Sequence, residues 1–234
     1  MDNRRQREQR HSQLDMKLRL YNRNDAAMTR LEVVVVIAVV ITVGLVMLAM
    51  FVLPGNISKA RNITCTNHLM QIGLSYRIWE GDHGGEYPMF VSITNGGSLE
   101  MAHSGDVLRT FMVMSNEISA PQILHCPADL AHVQTKTFDR LSNSNISYFI
   151  GVDATEANPQ GVLTGDSNLE INGKPVKSGL VSVWTNDVVS WQPNRHGKSC
   201  NIGMTDGSVQ SATTQNLQIY FEQTGFATNR LAIP

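Results

Sequence analysis

Polar and apolar positions divide the 234-residue chain into three regimes. Residues 1–27 are charged and polar, with no apolar periodicity beyond the short run Leu14–Tyr21. From Val33 to Leu53 stand 21 consecutive uncharged, mostly apolar residues. At about 1.5 Å per residue, a helix of that length crosses the roughly 30 Å hydrocarbon core of a bilayer. A cleaved secretory signal has a shorter apolar region, about 7–15 residues, and ends in a small-residue cleavage motif; this run is longer and closes on "AMFVLPGN". The pattern predicts one transmembrane segment over 28–54, with a kink or break at Pro54, where the ring removes a backbone donor and clashes with the preceding turn.

Past Pro54 the periodicity changes. Cys65, Leu69, Ile72, Tyr76 and Trp79 recur at helical spacing and define one face of an amphipathic helix over 55–82. Gly84, Gly85 and Pro88 stop it. The two helical pieces are expected to form one interrupted rod of about 50 residues, near 75–80 Å at 1.5 Å per residue. Residues 83–234 read mainly as strands and loops. "MFVSIT", "SYFIGVD", "LVSVW" and "CNIGM" carry the β-branched and aromatic composition of short strands. Asp206-Gly207, between "NIGM" and "VQSA", signals a hairpin. A helix is expected near Ser104–Asn116, where Val107, Phe111 and Met114 share a face, and Asp153–Asn172 reads as loop. The fold class that follows is α+β, a long N-terminal helix packed on a small, mainly antiparallel β-sheet head.

Charge orients the apolar segment. Before Met28 there are seven Lys or Arg against four acids, and the positive-inside rule leaves that end in the cytoplasm. From Met28 onward 12 basic residues face 16 acidic ones, so the exported part lacks the basic footprint of a nucleic-acid binder. Its three cysteines, Cys65, Cys126 and Cys200, allow one disulfide in an oxidising compartment and leave one thiol over. Spacing alone does not choose the pair.

The segment "AMTRLEVVVVIAVVITVGLVML" resembles the prepilin-type N-terminus of type IV pilins and type II secretion pseudopilins. "CTNHLMQIGLSYRIW" (Cys65–Trp79), "CPAD" (Cys126–Asp129), "SNSNISYFIGVDA" (Ser142–Ala154) and His196 followed by Asp206-Gly207 resemble a planctomycete and verrucomicrobial pseudopilin-like group with a His-x9-Asp-Gly motif. The resemblance covers most of Ala27–Ala212. It implies a pilin-like fold, cleavage between Ala27 and Met28, and N-methylation of Met28. Glu32 becomes the fifth residue of the processed chain. Ala27 stands where the family usually has glycine, Arg30 where it usually has an apolar residue, and Pro54 about five residues later than the usual proline. The resemblance further implies pairing of Cys65 with Cys126, which leaves Cys200 as a buried thiol.

In this setting the candidate chemistry is electrostatic. The amine created at Met28 is a cation held near the membrane, and the Glu32 carboxylate can meet it on its own chain or a neighbour's. Either charge alone is costly in low dielectric, so assembly that pairs them is favoured and register is set. The competing role for Glu32 is an interfacial acid paired with Arg30 or lipid headgroups. His196 and Asp206 lack a partner cluster with diagnostic catalytic or metal spacing, and local hydrogen bonding with a tight turn at Gly207 accounts for them. Asp82, Asp153, Glu156 and Asp166 could offer oxygen ligands to Ca²⁺ in the head, but do not form an alternating oxygen-ligand loop. No glycine-rich phosphate loop and no Ser or Cys nucleophile motif is present, so no cofactor and no enzymatic activity are expected.

The sequence thus points to a prepilin-like structural subunit with a cytoplasmic leader over 1–27. It would be anchored in the inner membrane by a single pass, with its head in the periplasm or on an extracellular filament. The partners implied by the resemblance are a prepilin peptidase, further copies or other pseudopilins, and an inner-membrane assembly platform. The alternative is an uncleaved, single-pass membrane-anchored binding or hydrolytic domain.

Overall fold

The computed structural model describes residues 29–197 and 199–234, with the backbone alone for 51–56. Its first element is one α-helix, α1 (Arg30–Asp82). No break interrupts it at Pro54. One proline costs an internal donor and a clash with the preceding turn, and the packed Cys65–Trp79 face beyond it offsets that cost, since packing supplies most of a helix's stability in a protein. The chain divides into two units between Gly55 and Asn56. In the first, Arg30–Met50 is long and apolar enough to cross a membrane, and none of it is buried. In the second, all five periodic residues of α1, from Cys65 to Trp79, are buried.

The helix stops where the glycines predict. Gly84 and Gly85 both take positive φ, +76° and +85°. The Gly85 amide donates to the Glu80 carbonyl, and the His83 ring meets the Trp79 carbonyl at 2.7 Å while stacking on its indole. Left-handed backbone at a helix C-terminus is available to glycine without Cβ strain. "MFVSIT" is not a strand. It forms two 3₁₀ turns, Pro88–Phe90 and Ile93–Asn95, because Pro88 and the Gly96-Gly97 pair bound a segment too short to find a sheet partner. Two short helices follow, α2 (Leu99–His103) and α3 (Val107–Val113); Asp106 caps α3 by accepting from the Arg109 amide at 3.0 Å.

The sheet elements are β1 (Tyr148–Gly151), β2 (Val162–Asp166), β3 (Leu169–Ile171), β4 (Lys174–Pro175), β5 (Gly179–Trp184), β6 (Val189–Trp191), β7 (Ser199–Met204), β8 (Val209–Thr213) and β9 (Thr228–Ile233), with α4 (Thr214–Gln223) between β8 and β9. Six strands form an antiparallel sheet in the order β5-β9-β1-β2-β7-β8, and β4-β3-β6 form a small second sheet. The stretch 153–172, expected as loop, contains β2 and β3. All five residues of β2 are buried, and a strand covered on both faces loses the apolar-polar alternation that marks an exposed one.

The large sheet buries both faces. On one, α1 with α2 and α3 packs over Tyr148, Ile150, Val152 and Leu163; on the other, Leu217 and Phe221 of α4 and Trp191 of β6 cover Phe149, Cys200, Ile202 and Met204. The period-2 alternation of strands decides which residues of β7 meet α1. Cys200, Ile202 and Met204 point away, and the intervening Asn201, Gly203 and Thr205 lie against the helix.

Candidate functional site

The most chemically loaded place in the head is where β7 begins beside α1. Cys65 of α1 is disulfide-bonded to Cys126, which follows the 3₁₀ turn Pro121–Leu124; their Cα atoms are 5.2 Å apart and both residues are fully buried. The loop entering β7 brings His196 to the bond, with Nε2 3.2 Å from Cys126 Sγ and 3.7 Å from Asp166 Oδ2. Asp166 ends β2 and is wholly buried; its Oδ2 accepts from the Asn201 amide at 2.8 Å. Its Oδ1 has no hydrogen-bond partner among the described residues, with the Arg195 guanidinium 3.7 Å away.

Arg195 ties the centre together. It donates to the Ser147 carbonyl at 2.6 Å and to Ser167 Oγ at 3.1 Å, and pairs with Asp129 Oδ2 at 2.5 Å. Asp129 also accepts from the Ala131 amide and meets the His132 ring at 2.7 Å. Burial pushes the Asp129 carboxyl up, but the His132 hydrogen bond and the Arg195 charge outweigh it and hold the group well below the usual carboxylate range. At Asp166 burial wins and the pKa rises, opposed by His196 and Arg195; burial likewise lowers His196, which favours a neutral imidazole.

The His-x9-Asp-Gly motif is therefore split. His196 enters the disulfide centre at one end of β7, and Asp206-Gly207 forms the hairpin turn at the other. The Gly207 amide donates to the Met204 carbonyl, the Met204 amide donates to the Ser208 carbonyl, and the Ser208 amide donates to Asp206 Oδ1. Gly207 takes φ +86°, the left-handed position of a three-residue hairpin loop. The turn docks on α1 and the segment after it: Arg77 of the helix and the Tyr87 hydroxyl beyond its end both donate to the Thr205 carbonyl, at 3.2 and 3.3 Å. Between the two ends Asn201 donates to Asn62 Oδ1 at 2.7 Å and accepts from Thr66 at 3.3 Å. The motif fastens one sheet strand along α1 from Asn62 to Arg77.

Other candidate residues fall elsewhere. Ala27 and Met28 lie outside the described residues. Glu32 is exposed in the first turn of α1, where its amide donates to Thr29 Oγ1 at 3.3 Å, and no ion pair joins it to Arg30 among the described residues. Among the described residues the four acids that could offer Ca²⁺ ligands form no common cluster. Asp153 is held by Arg230, Asp166 sits at the disulfide, and Glu156 lies beside Glu80. Among the described residues Cys65, Cys126 and His196 are the one grouping of three or more His, Cys, Asp or Glu side chains close enough to share an ion. Cys200 is a buried free thiol, pushed up to about 12 by burial and hydrogen-bonded with Asn168, which keeps it protonated and inert. Asp129 belongs to the "CPAD" motif, whereas Arg195 and Asn201 carry no sequence signal beyond an arginine immediately preceding His196. Compared with protein-family models, curated proteins and solved structures, the chain matches none.

Proposed function

We propose that this chain is a prepilin-like structural subunit, processed between Ala27 and Met28 and assembled through α1 into a pseudopilus or pilus. The observation that carries this reading is the surface of α1. Beyond the wholly exposed apolar run Arg30–Met50, the helix buries its Cys65–Trp79 face in the head and keeps Ile57, Ile63, Met70, Leu74 and Ile78 exposed. A single-pass anchor needs the first run only. An apolar stripe continuing for some 20 residues past it is what lateral packing of identical helices uses.

The motif at the other end of the helix supports the same role. In the sequence Glu32 stands four residues after Met28, the spacing at which its carboxylate would compensate the amine that processing creates, and pairing in low dielectric favours register more than net stability. The head contributes rigidity: a disulfide and a strand fastened along α1 keep the helix's outer stripe presented in one orientation. Prepilin peptidase, further copies and an inner-membrane assembly platform are the partners, and the head lies on the periplasmic side.

Mass spectrometry of the natively expressed protein tests this. A chain beginning at methylated Met28 is expected; an intact Met1 in cells that carry the peptidase overturns the proposal in favour of an uncleaved anchored domain. Glu32→Ala is expected to leave membrane insertion intact and reduce assembly, and filaments at normal yield would remove the register role.

A further inference from the structure

We infer that the disulfide centre has a second state: with the Cys65–Cys126 bond reduced, Cys65, Cys126 and His196 hold one divalent ion of the Zn²⁺ class, with the Asp166 carboxylate next to His196 beside the fourth coordination position. Two thiolates and an imidazole are donor types of tetrahedral zinc sites, and a carboxylate or water completes such sets at the fourth position. The two Sγ atoms and a His196 ring nitrogen lie within 4.8 Å of one another. The His196 Nε2 contacts of 3.2 Å to Cys126 Sγ and 3.7 Å to Asp166 Oδ2 are close to the edges of a zinc tetrahedron, about 3.3–3.8 Å for metal–ligand bonds of about 2.0–2.3 Å.

A disulfide alone does not explain its surroundings. It is an apolar group, satisfied by any well-packed hydrophobic wall, yet the chain brings a buried imidazole and a fully buried carboxylate to it and, among the described residues, gives Asp166 Oδ1 no hydrogen bond. Burying such groups is costly unless they are paired or bind a metal. The charges around the site fit an ion. Two thiolates neutralise a divalent cation, Arg195 faces both Asp166 and Asp129, and the Asn201 amide fixes the Asp166 carboxylate by donating to its Oδ2, as outer partners in metal sites do. Ion and disulfide close the same loop between residues 61 positions apart, so each locks the head by the same cross-link.

The conversion balances simply. A dithiol reductant gives two electrons and two protons to the Sγ–Sγ bond, becoming a disulfide itself and leaving two thiols. Binding of the metal then releases both thiol protons to solvent as two metal–sulfur bonds form. Both sulfurs are inaccessible in the folded head, so exchange takes place on the unfolded chain, and refolding traps whichever state is present.

The experiment unfolds and reduces the full chain with a dithiol in detergent, removes the reductant anaerobically, and refolds with Co²⁺ or Zn²⁺. One Co²⁺ per chain is expected, with thiolate-to-cobalt charge transfer and tetrahedral ligand-field bands, and a higher melting temperature than the metal-free reduced chain. His196→Ala and Asp166→Asn are each expected to weaken binding at least about tenfold, whereas Cys200→Ser and Asp206→Asn leave it unchanged. The oxidised forms of all variants, checked by circular dichroism, separate a lost ligand from a lost fold. Absence of the charge-transfer band, or affinity unchanged in His196→Ala or Asp166→Asn with the oxidised fold intact, overturns the inference.

Discussion

Arg195 and Asp129 form an ion pair of 2.5 Å in which neither side chain is more than 5% exposed. The same guanidinium faces the buried Asp166, so one cation compensates two carboxylates. Removing one partner of a buried pair leaves charge in a low-dielectric interior, which costs about 3–5 kcal/mol. Arg195→Met is expected to destabilise the head by that amount in urea titrations followed by circular dichroism. Asp129→Leu in the same chain should recover part of the loss, because it withdraws one of the stranded charges. A single variant indistinguishable from the parent would show that the pair is compensated from elsewhere.

The Cys65–Cys126 bond closes a loop with a sequence separation of 61, for which the chain-entropy account gives about 4 kcal/mol. The double substitution Cys65→Ala, Cys126→Ala, measured without added metal, should therefore cost more than any single surface change. A loss under about 1 kcal/mol would mean that the reduced chain already holds these segments together, since the loop-closure term depends on a disordered reference state.

Sequence periodicity located the parts of this fold that repeat. The Cys65–Trp79 face of α1, the stop at Gly84-Gly85, the Val107 helix and the Asp206-Gly207 turn are local signals, each readable within about ten residues. What stayed hidden depends on distant partners. β2 looked like loop because burial on both faces erases alternation, and Glu170, Asn172 and Gly173 around β3 suggest turns until β6 is known to lie alongside. The centre at His196 assembles residues from α1, the segment after Pro121, β2 and the β6–β7 loop, and no spacing rule connects four such places. Pro54 failed as a break because a helix in a protein is held chiefly by packing of its buried face, and the Cys65–Trp79 face beyond the proline supplies that packing.

The Asp206-Gly207 turn is structural, and its cost is predictable. Gly207 holds φ +86°, and a Cβ there would come no closer than 3.6 Å to any neighbour, the Arg77 guanidinium. Space is adequate and only backbone strain opposes a side chain, about 1–2 kcal/mol for left-handed geometry. Gly207→Ala is expected to lower stability by that amount in denaturant titrations, with no change in metal binding or membrane insertion. A much larger loss would mean that the docking of Thr205 on Arg77 is disturbed as well.

The exposed stripe on α1 separates folding from assembly. Leu74 is 56% exposed and faces away from the head. An arginine there leaves every buried contact in place, so Leu74→Arg should melt within about 0.5 kcal/mol of the parent, as surface changes do. Filament yield in cells is expected to fall sharply, because a charge cannot be buried unpaired between neighbouring helices. Normal filament yield would assign the stripe to some other contact.

Glu80, near the end of α1, is 5% exposed, and burial together with the adjacent Glu156 carboxyl pushes it up to about 7 from an ordinary 4.5. The folded head therefore holds this proton more tightly than the unfolded chain. The sign follows from linkage: the group's contribution to stability is complete below about pH 4.5 and is lost as pH rises through about 7. Glu80→Gln, which keeps the neutral shape at every pH, should flatten the parent's decline over that interval while leaving the acid limb, set by Asp129, untouched. Melting temperatures of the two proteins across the interval measure the difference directly. Parallel profiles would show that Glu80 ionises without cost, with Arg77 beside it supplying the compensation.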